Sequence, residues 1–240
     1  MSGRILIALA VAAAIGGCQE SGFDESKETQ RPLKVQHALD PLTGTKVPGT
    51  AERPMTLNAE ALGNALALGV RPVRAALPGG RLPGYLRAEA RGVEVTPPLT
   101  KLDLAAADAA DPDVILGTKE SDGKLYDELR RIAPTVMSEG DNWKLNLRLH
   151  GEALGRTNDA EKLLIDWDDR VARVRAALAN SPIAPVFTKP DPFARSILAE
   201  LGIKPGRERD VLVRIDPAPD WSGGGLLAAR AALTAIERAL

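Results

Sequence analysis

The sequence predicts an α/β fold, and three observations carry that prediction. Helical-period segments alternate with short apolar runs from residue 57 onward. The stretch "DPDVILG" sets Val114, Ile115 and Leu116 side by side without polar alternation, the pattern of a strand buried on both faces of a parallel sheet. The stretch "NDAEKLLIDWDDRVARVRAAL" then keeps a helical period for about twenty residues, a rod of about 30 Å at 1.5 Å rise per residue.

The chain starts "MSGRILIALAVAAAIGGCQES". Arg4 and the terminal amine give a positive start. Residues 5–15 form an uncharged apolar run, and Gly16 and Gly17 precede Cys18. This is the layout of an export signal over residues 1–17. The run is shorter than the roughly 20 apolar residues a spanning helix needs. The Ile-Gly-Gly-Cys ending resembles a bacterial lipobox, which implies cleavage before Cys18 and lipid on its sulfur. The alternative is an ordinary secretory signal followed by an idle thiol, but an exposed free thiol is a liability in an oxidising compartment. Cys18 is the only cysteine, so no intrachain disulfide can form. The polar, aperiodic continuation makes residues 18–34 a lipidated cysteine and flexible tether.

Removing the signal leaves about 220 residues, one or two domains by size. Apolar residues make up 44%, enough for a sizeable core. A formal net charge of -1 and the lack of a long basic block argue against nucleic acid as a partner. The two histidines, His37 and His150, are far apart. With Cys18 used elsewhere they offer no His/Cys metal cluster.

Asn58 is a good N-cap for the helix "AEALGNALAL", which carries Leu62, Ala65 and Leu66 on one face and stops at Gly69. "VRPVRAAL" reads as a short strand, with Pro72 marking an edge or a strand start. "LPGGRLPG" is a loop and "LDLAAADAA" a helix. After the strand at Val114 comes the helix "KLYDELRRIA", stopped by Pro134, and then a short strand "TVM". "NWKLNLRLHGEALG" is ambiguous: Leu145, Leu147 and Leu149 alternate as in a strand, while Trp143, Leu147, Gly151 and Leu154 fit a helix. In the long rod, Asn158 and Glu161 suggest a capping box. Asp166 with Arg170 and Asp169 with Arg173 suggest i,i+4 pairs. Trp167 lies mid-helix as a core residue. The last third is loop-rich, with a short helix "ARSILAELG" and a run "RERDVLVRID". It closes with an amphipathic helix through Leu226, Ala229, Leu233, Ile236 and Leu240.

Few motifs carry chemistry. "GTKESDGKL" has the strand-to-helix context of a P-loop, but its glycines are one residue too far apart, and Leu125 stands where Ser or Thr must bind magnesium. Nucleotide hydrolysis is rejected. Lys119 and Glu120 would still lie at the carboxyl end of a strand, where α/β sheets bind ligands, or they are simply solvated loop charges. Trp143 and Trp221 stand near loop-to-helix junctions and either line a cleft or pack. "SGGGLL" offers helix-start amides to an anion, or a hinge. His150 reads as a surface or packing histidine. No nucleophile elbow, metal triad or carboxylate pair is present, so nothing nominates an enzyme.

The blocks "LNAEALGNALALGVRPV", "DPDVILGTKESDGKLYDELRRIAPTV", "NWKLNLRLHGEALGRTNDAEKLLIDWDDRV", "FARSILAELG" and "WSGGGLLAARAAL" together resemble the iron-siderophore substrate-binding lipoproteins of bacterial ABC importers. The resemblance implies α/β lobes joined by one long rigid helix, the class III periplasmic-binding-protein arrangement, with the ligand in the cleft between them. It assigns residues 35–140 to an N-terminal lobe, 141–180 to a helical spine and 181–240 to a C-terminal lobe. It also settles the Leu145 segment as helix. The second lobe is expected to be reduced: about sixty residues follow the spine, and the strands usual in the family between "ANSPIAPVF" and "DPFARSIL", and between "LGIKPGRERD" and "VLVRID", have no counterpart. The strand leading into Asn58 is altered to "PMTLN".

The implied ligand is a ferric siderophore held by Arg, Lys, Trp and Tyr side chains, with no cofactor and no catalysis. Family-like context places the contacts at Arg81, Tyr85, Lys119, Trp143, Arg195 and Trp221. The implied partner is an importer permease, docked through acidic surface residues on each lobe. The implied state is a monomer anchored through Cys18 on the outer face of the cytoplasmic membrane. A member without ligand, serving as a membrane-tethered scaffold, and a binder of haem or a corrinoid are the alternatives.

Overall fold

The structure is a computed structural model that describes residues 31–179, 181, 183–187, 192–203, 211–215 and 223–240. The signal-like segment and Cys18 lie outside these residues.

A hairpin comes first, β1 (Leu33–His37) antiparallel to β2 (Asp40–Val47). Leu33 and Lys34, expected in the tether, already pair with Val47 and Lys46. Val35 and Val47 are buried, and the Ala38 amide donates to the Met137 carbonyl at 3.0 Å. That bond holds the hairpin beside the sheet.

The sheet has five parallel strands: β3 (Pro54–Thr56), β4 (Arg74–Ala76), β5 (Glu94–Thr96), β6 (Val114–Thr118) and β7 (Thr135–Ser138). Their spatial order is β5-β4-β3-β6-β7. The helices between them are α1 (Ala59–Ala67), α2 (Leu104–Ala109), α3 (Lys119–Asp122) and α4 (Tyr126–Ile132). Both faces of β6 are buried, as its unbroken apolar run requires. Ile115 packs on one face with Met55, Ala107, Leu129 and Met137. Val114 and Leu116 pack on the other with Trp143, Leu147 and the helices that follow. Pro72 precedes β4, which is an inner strand rather than an edge. Lying outside the ladder, the proline costs no sheet hydrogen bond.

Beyond the sheet come α5 (Trp143–Ala153) and α6 (Thr157–Ala179), so the ambiguous Leu145 segment is helical. With 23 residues, α6 is about 34 Å long at 1.5 Å per residue. Trp167, Val171 and Val174 are buried along it. The expected capping box does not form. Ala160 donates its amide to the Arg156 carbonyl at 2.9 Å, so the helix begins about half a turn before the box would need, and Asn158 sits inside it. Glu161 instead accepts from Arg148 Nε of α5 at 2.7 Å. Arg170 likewise leaves Asp166 and crosses to the last helix, where it pairs with Glu237 and donates to Thr234 Oγ1.

The remaining elements are β8 (Ile183–Phe187), α7 (Pro192–Glu200), β9 (Val211–Ile215) and α8 (Gly225–Ala239). β8 and β9 pair in parallel, with α7 in the crossover between them. α8 buries Leu226, Ala229, Leu233 and Ile236 as its period predicts, and leaves Leu240 partly exposed. It packs against α1 and α5 as well as α7.

Candidate functional site

Parallel strands send their carboxyl ends to one side, and the segments leaving β3, β4 and β6 converge there. Asn58 follows β3 and caps α1, its Oδ1 accepting from the Ala61 amide at 2.8 Å. Leu77 follows β4 and opens a loop with two short 3-10 turns, Pro78–Gly80 and Gly84–Leu86. Thr118 ends β6. Together they bound a cavity of about 630 Å³, lined also by Arg81, Arg87, Glu60 and Gly223. Volumes of this order suit small-molecule ligands.

The cavity continues. Glu60 and Gly223 also line a second compartment of about 270 Å³, with Asp141, Trp143 and Phe193. Asp141, Trp143 and Phe193 in turn line a third of about 430 Å³, with Lys144 and Glu200. The result is one groove that is basic at the loop end, carboxylate-lined in the middle and aromatic at the α5–α7 end.

Glu60 is the junction. It lies in the first turn of α1, and both of its carboxylate oxygens accept from Asn146 Nδ2 at 3.2 Å. Burial pushes its pKa up to about 7; the Asn146 bond opposes the shift, while the Asp141 and Glu120 carboxylates add to it. Among the described residues no lysine or arginine pairs with Glu60. Asn58 Nδ2 is buried in the same wall with no partner among the described residues.

The α5–α7 end is rigid by construction. Trp143 packs edge-on to Trp167, with ring centroids 5.3 Å apart. Lys144 reaches Asp168 at 2.9 Å and Glu200 at 2.5 Å. Trp167 Nε1 donates to Glu200 at 3.1 Å, and the Arg175 guanidinium bonds the Glu200 carbonyl. One residue at the end of α7 is therefore held by both α5 and α6.

Residues 104–202 match the family model described as "Periplasmic binding protein". The chain is 31% identical over 179 residues to "Probable siderophore-binding lipoprotein YfiY" of Bacillus subtilis (strain 168), an alignment covering 73% of this chain and 54% of that protein. Over residues 104–202, 99 of its 240, the chain is similar to the periplasmic binding protein family.

That is a family of binding proteins, not of enzymes. A second relative, "Iron-uptake system-binding protein" of the same organism, is 25% identical over 182 residues, covering 72% of this chain and 55% of that one. The chain thus spans about half the length of the curated relatives it matches. Two solved structures share its fold. Staphylococcus aureus SirA complexed with staphyloferrin B superposes with a TM-score of 0.61 at 24% identity, over 85% of this chain and 82% of that one. PiuA, an iron uptake ABC transporter substrate-binding protein from Streptococcus pneumoniae Canada MDR_19A, gives 0.63 at 20% identity, over 87% and 98%.

The contacts expected from sequence fall unevenly on the groove. Arg81 and Trp143 line it, although Trp143 is only 5% exposed. Tyr85 lies behind the wall: its hydroxyl is 2.5 Å from where a Cβ on Gly223 would stand. Lys119 is committed to Glu139 at 3.0 Å and is absent from the described lining. Arg195 is exposed on α7, whose Pro192, Phe193 and Ser196 line the groove. Trp221 lies outside the described residues. The "SGGGLL" amides are not open to an anion throughout, since Leu226 donates to Asn64 Oδ1 at 3.2 Å. In the P-loop-like turn, Asp122 takes the Thr118 amide at 2.9 Å. No described helix is long and apolar enough to cross a membrane, and no described group of three His, Cys, Asp or Glu residues could hold a metal.

Sequence reasoning missed Asn58, Glu60 and Arg87. The signal was present: Asn58 and Glu60 follow a parallel strand directly, which is the same argument that nominated Lys119.

Proposed function

We propose that this chain is an extracytoplasmic solute-binding lipoprotein that captures a ferric siderophore in the groove and passes it to an ABC importer permease. The observation that carries the reading is the groove itself: about 630 Å³ at the carboxyl ends of the parallel strands, with two arginines in its lining. Cations suit the oxygens of a ferric chelate, and the Trp143 and Phe193 end suits its apolar body. The name of the Bacillus relative and the lipobox-like run at Cys18 support the same reading. On it, Cys18 anchors the chain to the outer face of the cytoplasmic membrane. Residues 18–34 tether the folded part, and the elements after α6 supply a shortened second wall.

The test is a tryptophan-fluorescence titration of the chain from residue 19 onward with ferric hydroxamate and ferric catecholate chelates, using the iron-free chelators, haemin and a corrinoid as controls. Saturable quenching by one ferric class with Kd below about 100 μM, roughly 5.5 kcal/mol, is the expected result. Saturation by haemin or the corrinoid alone replaces the ligand class. No saturation by any of them overturns the reading in favour of a tethered scaffold.

A further inference from the structure

The groove holds a feature that a uniformly cationic chelate site does not need. Arg81 and Arg87 line the main compartment only, and Glu60 lines both it and the second compartment. Glu60 is half-buried yet meets no described cation. Its one side-chain donor is the neutral Asn146 amide, and its nearest charged neighbours are the carboxylates of Asp141 and Glu120. Glu120 is itself occupied with the Gly140 amide at 2.9 Å. Lys144, on the next compartment, is spent on Asp168 and Glu200. A buried carboxylate without a countercharge is costly unless something supplies one. Nothing in the described fold does.

A metal ion is a poor candidate for that role. No described group of three His, Cys, Asp or Glu residues converges as ligands, and hard cations take several oxygen ligands. A protonated amine fits better. It needs one carboxylate and a few acceptors, which Glu60 and the Gly140 carbonyl beside Asn146 provide.

Resting on the siderophore reading, we propose that the groove is bipolar: Arg81 and Arg87 face the anionic chelate, and Glu60 receives a primary ammonium group carried on the ligand's tail. The ligand class is thereby narrowed to ferric chelates with a free aliphatic amine. The groups around Glu60 set how this preference varies with pH. They are Asp141 from the β7–α5 connection, Glu120 from α3, Asn146 from α5 and the first turn of α8, whose Leu226 amide is taken by Asn64. No described cation among them holds Glu60 ionised. The amine preference should therefore be full at pH 8 and fade as the pH falls through about 7.

The experiment uses two pairs of ferric chelates, one trihydroxamate and one catecholate. Each is prepared with its terminal amine free and with that amine acetylated. Affinities are measured on the chain from residue 19 at pH 8 and pH 5.5, and again on Glu60→Gln. The expected result is at least about tenfold tighter binding of the free-amine form of one pair at pH 8, the scale of one charge-assisted hydrogen bond. That ratio should shrink to within about twofold at pH 5.5 and in Glu60→Gln. Equal affinity of both forms in the unaltered chain overturns the inference and leaves the siderophore reading standing. A preference that survives Glu60→Gln also overturns it. Binding of none of the four chelates overturns both. If Glu60→Gln does not fold, the pH arm on the unaltered chain decides.

Discussion

Two titratable residues, one fully buried and one half-buried, respond to pH in opposite senses. His150 is fully buried, its Nδ1 bonded to Asn64 Nδ2 at 3.0 Å, and burial lowers its pKa from 6.5 to about 4. The unfolded chain binds that proton more readily, so the stability it contributes is present above pH 6.5 and is lost as the pH falls toward 4. Glu60 is raised from 4.5 to about 7, so the folded chain holds its proton better. Its contribution is full below pH 4.5 and is lost as the pH rises through 7. Between pH 4.5 and 6.5 the two slopes oppose each other. Glu60→Gln should unmask the histidine. Urea midpoints of the variant should fall more steeply than those of the parent as the pH drops through that window, by up to about 1.4 kcal/mol per pH unit. Parallel profiles would show that Glu60 does not titrate there. Neither behaviour was legible from the residues alone. Sequence left His150 as surface or packing, and only the fold brings Asn64, 86 positions earlier, against its ring.

Periodicity read well wherever an element buries one face. α1, α4, α6, α7 and α8 lie where their apolar spacing puts them, and Asn58 caps α1 as its side chain predicts. Reading failed where tertiary partners outbid local ones. The capping box and the Asp166–Arg170 pair expected within α6 gave way to bonds with α5 and α8. The β1–β2 hairpin went unread, since its strands carry a largely exposed pattern and a turn without the usual Asn-Gly signal. The α5–α6 joint offers a direct test of element packing. A Cβ added at Gly151 would stand 2.6 Å from Ala160 Cβ and 3.2 Å from the Arg156 carbonyl oxygen. Gly151→Ala should therefore cost about 1–3 kcal/mol of unfolding free energy, as overpacked cores do. Adding Ala160→Gly should recover part of it. Equal loss in the single and double variants would place the strain elsewhere.

At the scale of the whole molecule, only the general place of the groove was legible, because parallel strands offer their carboxyl ends to ligands; the strand order was not. The lining was half legible: Arg81 and Trp143 were found, and Glu60 and Asn58 were missed for want of a local motif. The packing of α8 makes the described elements interdependent. Leu226, Leu233 and Ile236 share one core with Val114, Leu147 and Trp167. Ile236→Asp should thus cost about 4 kcal/mol or more, the range for an unpaired buried charge. The loss should appear as a single transition, with tryptophan emission and far-UV circular dichroism coincident. Separate transitions would mean that α8 melts away from an intact sheet.

The bond from Leu226 to Asn64 spans 162 positions of sequence. Contacts that distant form late and slowly. A polypeptide threaded amino end first through a translocation pore would deliver α1 long before its covering helix. The open face of α1 would delay compaction throughout passage, keeping the chain slack enough to be pulled through. It would also give holding chaperones on the far side a defined window in which to act.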